Sequence, residues 1–354
     1  MTKRDCVIEV LRGGMPPYIP SHGECPMDVT VMGDMLPKST NDSAANAMAF
    51  AEFFDNSVTD VGIGISQKTL SMDKSHHIYE YETGAVWKEQ YIPTYNREAL
   101  RFPVNTPEEA MLFKMPEYND GKRFNTDELT RNIKRMKENG FFVQGTAMGV
   151  WGATYINITR FETILEWMLV EPEAAGYIFE QVSHFSLKSA KTLLECGVDC
   201  IFTHSDMGTA ISTLFSKDLF LKYIYPWLKS LSELCHSYGA FLHLHSHGHI
   251  EGFMDEIVES GVDLINPVGP SDYNDLAMFK EKWGSKISFL GGISTTISEM
   301  NESEMRRHVA DVINIGRKGG RFFPRTESGI PPMPRDKIML YLDILKEERM
   351  KGYI

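Results

Sequence analysis

Three short stretches decide the fold: Gly197-Val-Asp-Cys-Ile-Phe202, Gly239-Ala-Phe-Leu-His-Leu-His-Ser246 and Gly261-Val-Asp-Leu-Ile-Asn266. Each opens on a glycine that closes the preceding helical pattern and continues as an apolar run of strand length. Between the first and second lies a helical pattern over Asp218–Tyr238, with Ser216 placed as its N-cap. Between the second and third lies another over Ile250–Ser260. Short apolar strands that alternate with helices belong to a parallel sheet covered on both faces.

The same alternation extends both ways. Upstream, a helix over Thr126–Asn139 ends at Gly140, and Phe141–Gln144 reads as a strand. A long helical region follows from Glu162 to Cys196, interrupted near Pro172. Downstream come a helix over Asp275–Trp283, a strand over Ile287–Leu290, a helix over Ser303–Gly316, a strand over Arg321–Phe323 and a last helix over Arg335–Arg349. Two more strands from the first 125 residues close an eight-stranded (β/α)8 TIM barrel of the α/β class. Tyr18–Pro20 or Met27–Met32 is a candidate for one, and Val58–Ile65 for the other. His76–Ile92 differs: it reads as two antiparallel strands around Thr83-Gly84, a β-hairpin elaboration. Residues 66–105 are therefore expected to be an insertion over the barrel mouth, within a single domain spanning 1–354. A doubly wound open sheet is the competing architecture, but the chain has neither a GxGxxG fingerprint nor a P-loop.

Composition narrows the function. The 36 basic and 48 acidic residues give a formal charge of −12, a surface that repels phosphate backbones, so no nucleic acid is expected. No run of about 18 apolar residues occurs, so no membrane span is expected. The N-terminus has no apolar stretch of signal-peptide type. The five cysteines are odd in number and include no CxxC pair, which argues against a disulfide framework; a reduced, cytoplasmic setting is expected. Twenty methionines read as core filling, and they suit an anaerobic metabolism.

Four of the 11 histidines fall within Phe241-Leu-His-Leu-His-Ser-His-Gly-His249. Alternate side chains of a strand share a face. His243, His245 and His247 therefore point one way, into the barrel, and Leu242 and Leu244 point the other. Neutral imidazoles at this spacing suit zinc, with a third ligand from another strand end. A hydrogen-bonded polar lining without metal explains the same residues. His243 lies deeper and reads as structural; His249 reads as exposed or capping.

In such barrels the site sits at the carboxyl ends of the strands. That places His204 and Asp206 among the candidates: Asp206 as general acid or base, or as the group orienting a histidine, with His204 beside it. Asn266 before Pro267 is a candidate substrate contact. Trp151 and Tyr155 are candidates for an aromatic mouth that suits an apolar methyl group.

The run from Gly197 to Gly292 resembles the uroporphyrinogen decarboxylase superfamily. The matching parts are Gly197-Val-Asp199, Asp206-Met-Gly208, Phe215-Ser216, Tyr225-Pro226, His245-Ser-His-Gly248, Gly261-Val-Asp263, Ile265-Asn-Pro267, Lys282 and Gly291-Gly292. Val7–Gly13 with Ile19-Pro20 resembles the superfamily's opening and Ile330–Pro334 its close. The resemblance implies an eight-stranded α/β barrel. Decarboxylases of the superfamily carry an arginine-rich RQAGR loop for substrate carboxylates. The corresponding stretch here, Leu11–Tyr18, holds only Arg12, a poor match to a porphyrinogen with eight carboxylates.

The other branch is the cobalamin-dependent methyltransferases. Their zinc is held by His-x-Cys on the histidine strand and by a cysteine near the last strand. Here His247 stands at the first cysteine position, and Ser328 at the second with Glu327 beside it. The resemblance then implies zinc on His245, His247 and Glu327, harder and less thiophilic than a cysteine site. It implies a corrinoid-dependent methyltransferase acting on a methyl ether, amine or similar substrate. The expected partners are a small methyl donor or acceptor, a corrinoid protein in trans that carries the cobalamin, and a second copy in a homodimer. A decarboxylase of a tetrapyrrole or small acid, or a non-catalytic binding barrel, are the alternatives.

Overall fold

The computed structural model describes residues 1–27, 32–62, 65–118 and 123–353. Its frame is a curled sheet of seven parallel strands: β1 (Val58–Gly62), β6 (Phe142–Thr146), β7 (Cys200–His204), β8 (Phe241–His245), β9 (Leu264–Val268), β10 (Ser288–Ile293) and β11 (Phe322–Thr326), adjacent in that order. Four antiparallel strands, β2 (Gln67–Met72), β3 (His76–Tyr81), β4 (Val86–Gln90) and β5 (Asn96–Arg101), form a second sheet inserted between β1 and β6. The hairpin expected around Thr83-Gly84 is β3–β4, and it gains a strand on each side.

The eighth place in the barrel is filled without a regular strand among the described residues. Residues 19–26 run between β11 and β1. On one flank Ser57 N donates to Ser21 O, and Glu24 N donates to Asn56 Oδ1. On the other, Thr326 donates to the Glu24 carboxylate from both N and Oγ1, and Pro26 bridges to Ile330. Pro16, Pro17, Pro20 and Pro26 cannot donate to a ladder, so side-chain bonds replace it. Tyr18–Pro20 is thus not a strand, and residues 28–31 of the other candidate lie outside the described residues.

Parallel strands begin up to two residues later than the apolar pattern suggests, at Cys200 rather than Val198 and at Leu264 rather than Val262. The pattern over 218–238 is two helices, Lys217–Tyr223 and Tyr225–Ser237, because Pro226 interrupts the backbone ladder. Helix Val150–Asn157, directly after β6, has no counterpart in the sequence reading. Its mean composition is apolar all round, and helical periodicity does not stand out when most faces are buried.

The N-terminal helix Lys3–Leu11 closes the amino end of the barrel. Val7, Val10 and Leu11 pack on Val58, Phe142, Cys200, Leu264, Leu290 and Phe323. Arg4 fixes it there through Nε and Nη2 to the Asp199 carboxylate, at 3.0 and 2.8 Å. The following turn lies against Arg321, which immediately precedes β11, so Arg12 sits at the amino end as well. No helix among the described residues is long and apolar enough to cross a membrane.

Candidate active site

The inner wall above this apolar floor is polar. Asp60 on β1 accepts from Gln144 Nε2 on β6 at 2.8 Å. Gln144 Oε1 faces His243 Nδ1 on β8 at 2.8 Å, and His243 Nε2 faces the side-chain amide of Asn266 on β9 at 2.7 Å. With its amide committed to Asp60, Gln144 accepts the Nδ1 proton of His243. Burial and the neighbouring His22 hold His243 well below the usual imidazole range, so the ring is neutral. The structural reading of His243 follows from this chain of bonds. Asn266 is buried within it rather than lining an open substrate surface.

One layer higher, two loops close against each other. Ser205 N donates to His245 O at 2.8 Å, Met207 N to Ser246 Oγ at 3.0 Å, Gly208 N to His247 O at 3.2 Å and His249 N to Thr209 O at 2.8 Å. The approach requires glycine on both sides. A Cβ on Gly248, whose φ is +90°, would lie 2.2 Å from the backbone of Gly208. This zipper puts Asp206 beside two histidines. Its Oδ1 accepts the His247 backbone N–H at 2.9 Å and lies 3.6 Å from His245 Nε2. The rings of His245 and His247 meet edge to face at 4.8 Å. His247 Nδ1 faces Asp272 Oδ2 at 3.3 Å.

The two imidazoles differ in protonation. Burial and the adjacent His247 lower His245 to about 4, so it is neutral near pH 7. The bond to Asp272 raises His247 against its own burial. Burial pushes the Asp272 carboxyl up, but the bonds from His247 and the Gly248 backbone, together with the charges of His247 and His245, hold the group below its ordinary value. His204, at the end of β7, is lowered by burial while Asp206 opposes the shift.

The residues expected to hold zinc do not assemble as a ligand set. Glu327 is engaged by another loop: Ser271 donates to it from N at 3.0 Å and also from Oγ. Gly269 leaves the space it needs, since a Cβ there would lie 2.0 Å from Glu327 Oε1. Burial raises the Glu327 carboxyl despite these bonds. Among the described residues no three His, Cys, Asp or Glu side chains converge closely enough for a metal ion. His245, His247 and Glu327 therefore do not fit zinc in this arrangement.

Trp151 also differs from expectation. It is fully buried among Tyr155, Phe161, Phe179 and Phe215, and its indole N–H donates to Asp206 O at 2.9 Å. It supports the Asp206 loop and presents no face to a substrate. Tyr155 is half-buried, and burial with the nearby Asp206 pushes its hydroxyl up to about 12.

A cavity of about 330 Å³ opens at the carboxyl ends of β6 and β7. Thr146, Asn157 and His204 line its wall beside apolar Met148 and Ile156, and Tyr81 and Arg97 of the antiparallel sheet form its roof. Arg97 is held over the Trp87 ring at 4.2 Å and donates to Tyr81 Oη at 3.1 Å. Sequence reasoning passed over Asp60, Asp272, Gln144 and Arg97. The signal for Asp60 was a carboxylate in the middle of the apolar run Val58-Thr-Asp-Val61. The residue is exposed to solvent although protein crowds around its carboxyl, and that crowding raises it.

A family model described as uroporphyrinogen decarboxylase matches residues 95–347. No curated protein matches the sequence. Among solved structures, a methyltransferase from Methanosarcina mazei is 15% identical, with a TM-score of 0.70 over 99% of this chain and 98% of that one. A 3-keto-D-glucoside 4-epimerase from E. coli is 14% identical, with a TM-score of 0.39 over 71% of this chain and 97% of that one. The first likeness extends the shared fold across the whole length.

Proposed function

This chain belongs to the uroporphyrinogen decarboxylase family, and from that premise we propose that it is a methyltransferase moving a methyl group between a small methylated substrate and a separate corrinoid protein. The observation that carries the reading is the mouth cavity. At about 330 Å³ it lies at the small end of the range for ligand pockets, roughly 300–1,000 Å³. Its lining is mostly apolar and contains one arginine. Arg12, the only basic residue of the opening stretch, sits at the opposite end of the barrel. A porphyrinogen with eight carboxylates is poorly served by such a pocket.

When the partner docks, its corrinoid supplies the cobalt that takes or gives the methyl group. The protein's own task is to position the methylated atom and manage a proton. Breaking the bond from carbon to oxygen or nitrogen leaves the electron pair on that heteroatom, which then needs a proton. His247, held by Asp272, is the donor, and the zipper with Asp206 fixes its backbone. Neutral His245 and His204 offer acceptors for hydroxyl or amine groups of the substrate. No step is assigned to zinc.

The test follows the absorbance of free cob(I)alamin with methyl ethers and methylamines as donors. Substrate-dependent loss of the cob(I)alamin band supports the reading. Release of carbon dioxide from a porphyrinogen or small acid, with no change in that band, overturns it.

A further inference from the structure

Arg325 on β11 is an interior cation whose donors are unspent. Phe323 before it packs into the barrel floor, so the strand alternation turns Arg325 inward as well. Its charge acts on groups around the interior: Asp60 on β1, His243 and His245 on β8, and His22 and Glu24 in the segment between β11 and β1. Yet Arg325 makes no hydrogen bond or ion pair among the described residues, and its Nε is buried without a partner.

A buried Nε without a partner is shared by Arg97, Arg123 and Arg349, but these arginines spend their other donors. Arg349 donates to Ile19 O at 2.9 Å and to Asp55 Oδ2 at 2.5 Å. Arg4 donates twice to Asp199. The carboxylates nearest Arg325 in charge are engaged elsewhere. Glu24 accepts from Thr326 N, Thr326 Oγ1 and Tyr341 Oη, and Asp60 accepts from Gln144. Beside Arg325, both ring nitrogens of fully buried His22 also lack partners. Gly23, with φ at +69°, leaves the guanidinium open on that side: a Cβ there would still stand 3.7 Å from Nη1.

A buried donor without a partner, as Nε of Arg325 is, costs free energy that an incoming acceptor recovers. The planar fork of arginine matches a carboxylate. A doubly charged anion is disfavoured, because Glu24 and Asp60 share the interior.

We propose that Arg325 anchors a carboxylate subsite, so that the methylated substrate is a small acid held by its carboxylate inside the barrel with its methyl group toward His245 and Asp206. The methyl group in this statement rests on the methyltransferase reading; the carboxylate subsite does not.

The test is therefore direct binding without corrinoid. Methoxyacetate, 2-methoxyethanol and inorganic phosphate are titrated into the full chain by calorimetry. Methoxyacetate is expected to bind at least tenfold tighter than 2-methoxyethanol. Arg325→Gln is expected to remove that preference, and Arg325→Lys, which keeps the charge without the fork, to retain part of it. The wild-type comparison stands even if a variant fails to fold. Equal binding of acid and alcohol, binding of neither, tighter binding of phosphate, or an unchanged preference in folded Arg325→Gln overturns the subsite. Carboxylate binding without any methyl transfer leaves the subsite standing and overturns only the methyltransferase.

Discussion

The backbone N–H of His247 donates to Oδ1 of Asp206 at 2.9 Å. The bond joins the loop after β7 to the loop after β8, so Asp206 is a structural acceptor as well as the carboxylate expected to serve as acid or base, 3.6 Å from His245 Nε2. The two roles separate by substitution. In Asp206→Asn the side-chain oxygen still accepts from His247, so thermal stability should stay within about 0.5 kcal/mol of wild type while methyl transfer falls at least tenfold. In Asp206→Ala the His247 N–H loses its acceptor, and a further loss of about 1 kcal/mol is expected from chemical denaturation. Full activity in Asp206→Asn would remove the acid–base role.

The ion pair of His247 with Asp272 sets a second prediction. A proton donor whose pKa is raised keeps activity to higher pH, and the rate falls as pH rises through that value. Asp272→Asn removes the partner that raises His247. The alkaline limb of the kcat profile should move to lower pH, with the plateau at low pH little changed. An unmoved limb would show that another group donates the proton.

The barrel was legible from the chain because its parallel strands are apolar runs bounded by glycines, and burial on both faces leaves no other composition for them. The histidine strand was legible for the same reason, since period-two alternation places His243 and His245 inward whatever the exact boundary. The partners were not. His243 meets Gln144 and Asn266, which lie 99 and 23 residues away, and such pairs follow from strand register that no local pattern encodes. Glu327 was placed near the histidines by its position after β11, but Ser271 and Gly269 on a different loop decide where its carboxylate turns. Trp151 read as an aromatic wall. Its burial depends on Phe161, Phe179 and Phe215, contributed by three other segments.

The place of Glu327 gives a third test. Its carboxylate is bound by Ser271, so Glu327→Gln should leave the zinc content of purified protein equal to that of wild type, measured by plasma emission. Loss of stoichiometric zinc in the variant alone would make Glu327 a ligand. Gly269→Ala serves as the structural control: the added methyl group meets Oε1, so Glu327 must move and the variant should lose about 1–3 kcal/mol.

Buried neutral histidines make the fold sensitive to acid, and His22 is the clearest case. Burial and the nearby Arg325 lower it to about 3. In the unfolded chain the ring recovers its ordinary value near 6.5. Above that value both states are neutral and His22 contributes no pH dependence. Below it the unfolded state binds a proton that the folded state refuses, so stability falls as the solution is acidified toward 3. Between pH 7 and pH 5 the linkage amounts to roughly 2 kcal/mol for this one residue. His22→Phe removes the proton site while keeping a ring against Phe323 and His243. Urea midpoints at pH 7 and pH 5 should therefore differ less in His22→Phe than in wild type, by about that amount. The same difference in both proteins would mean that His22 already takes a proton in the folded state.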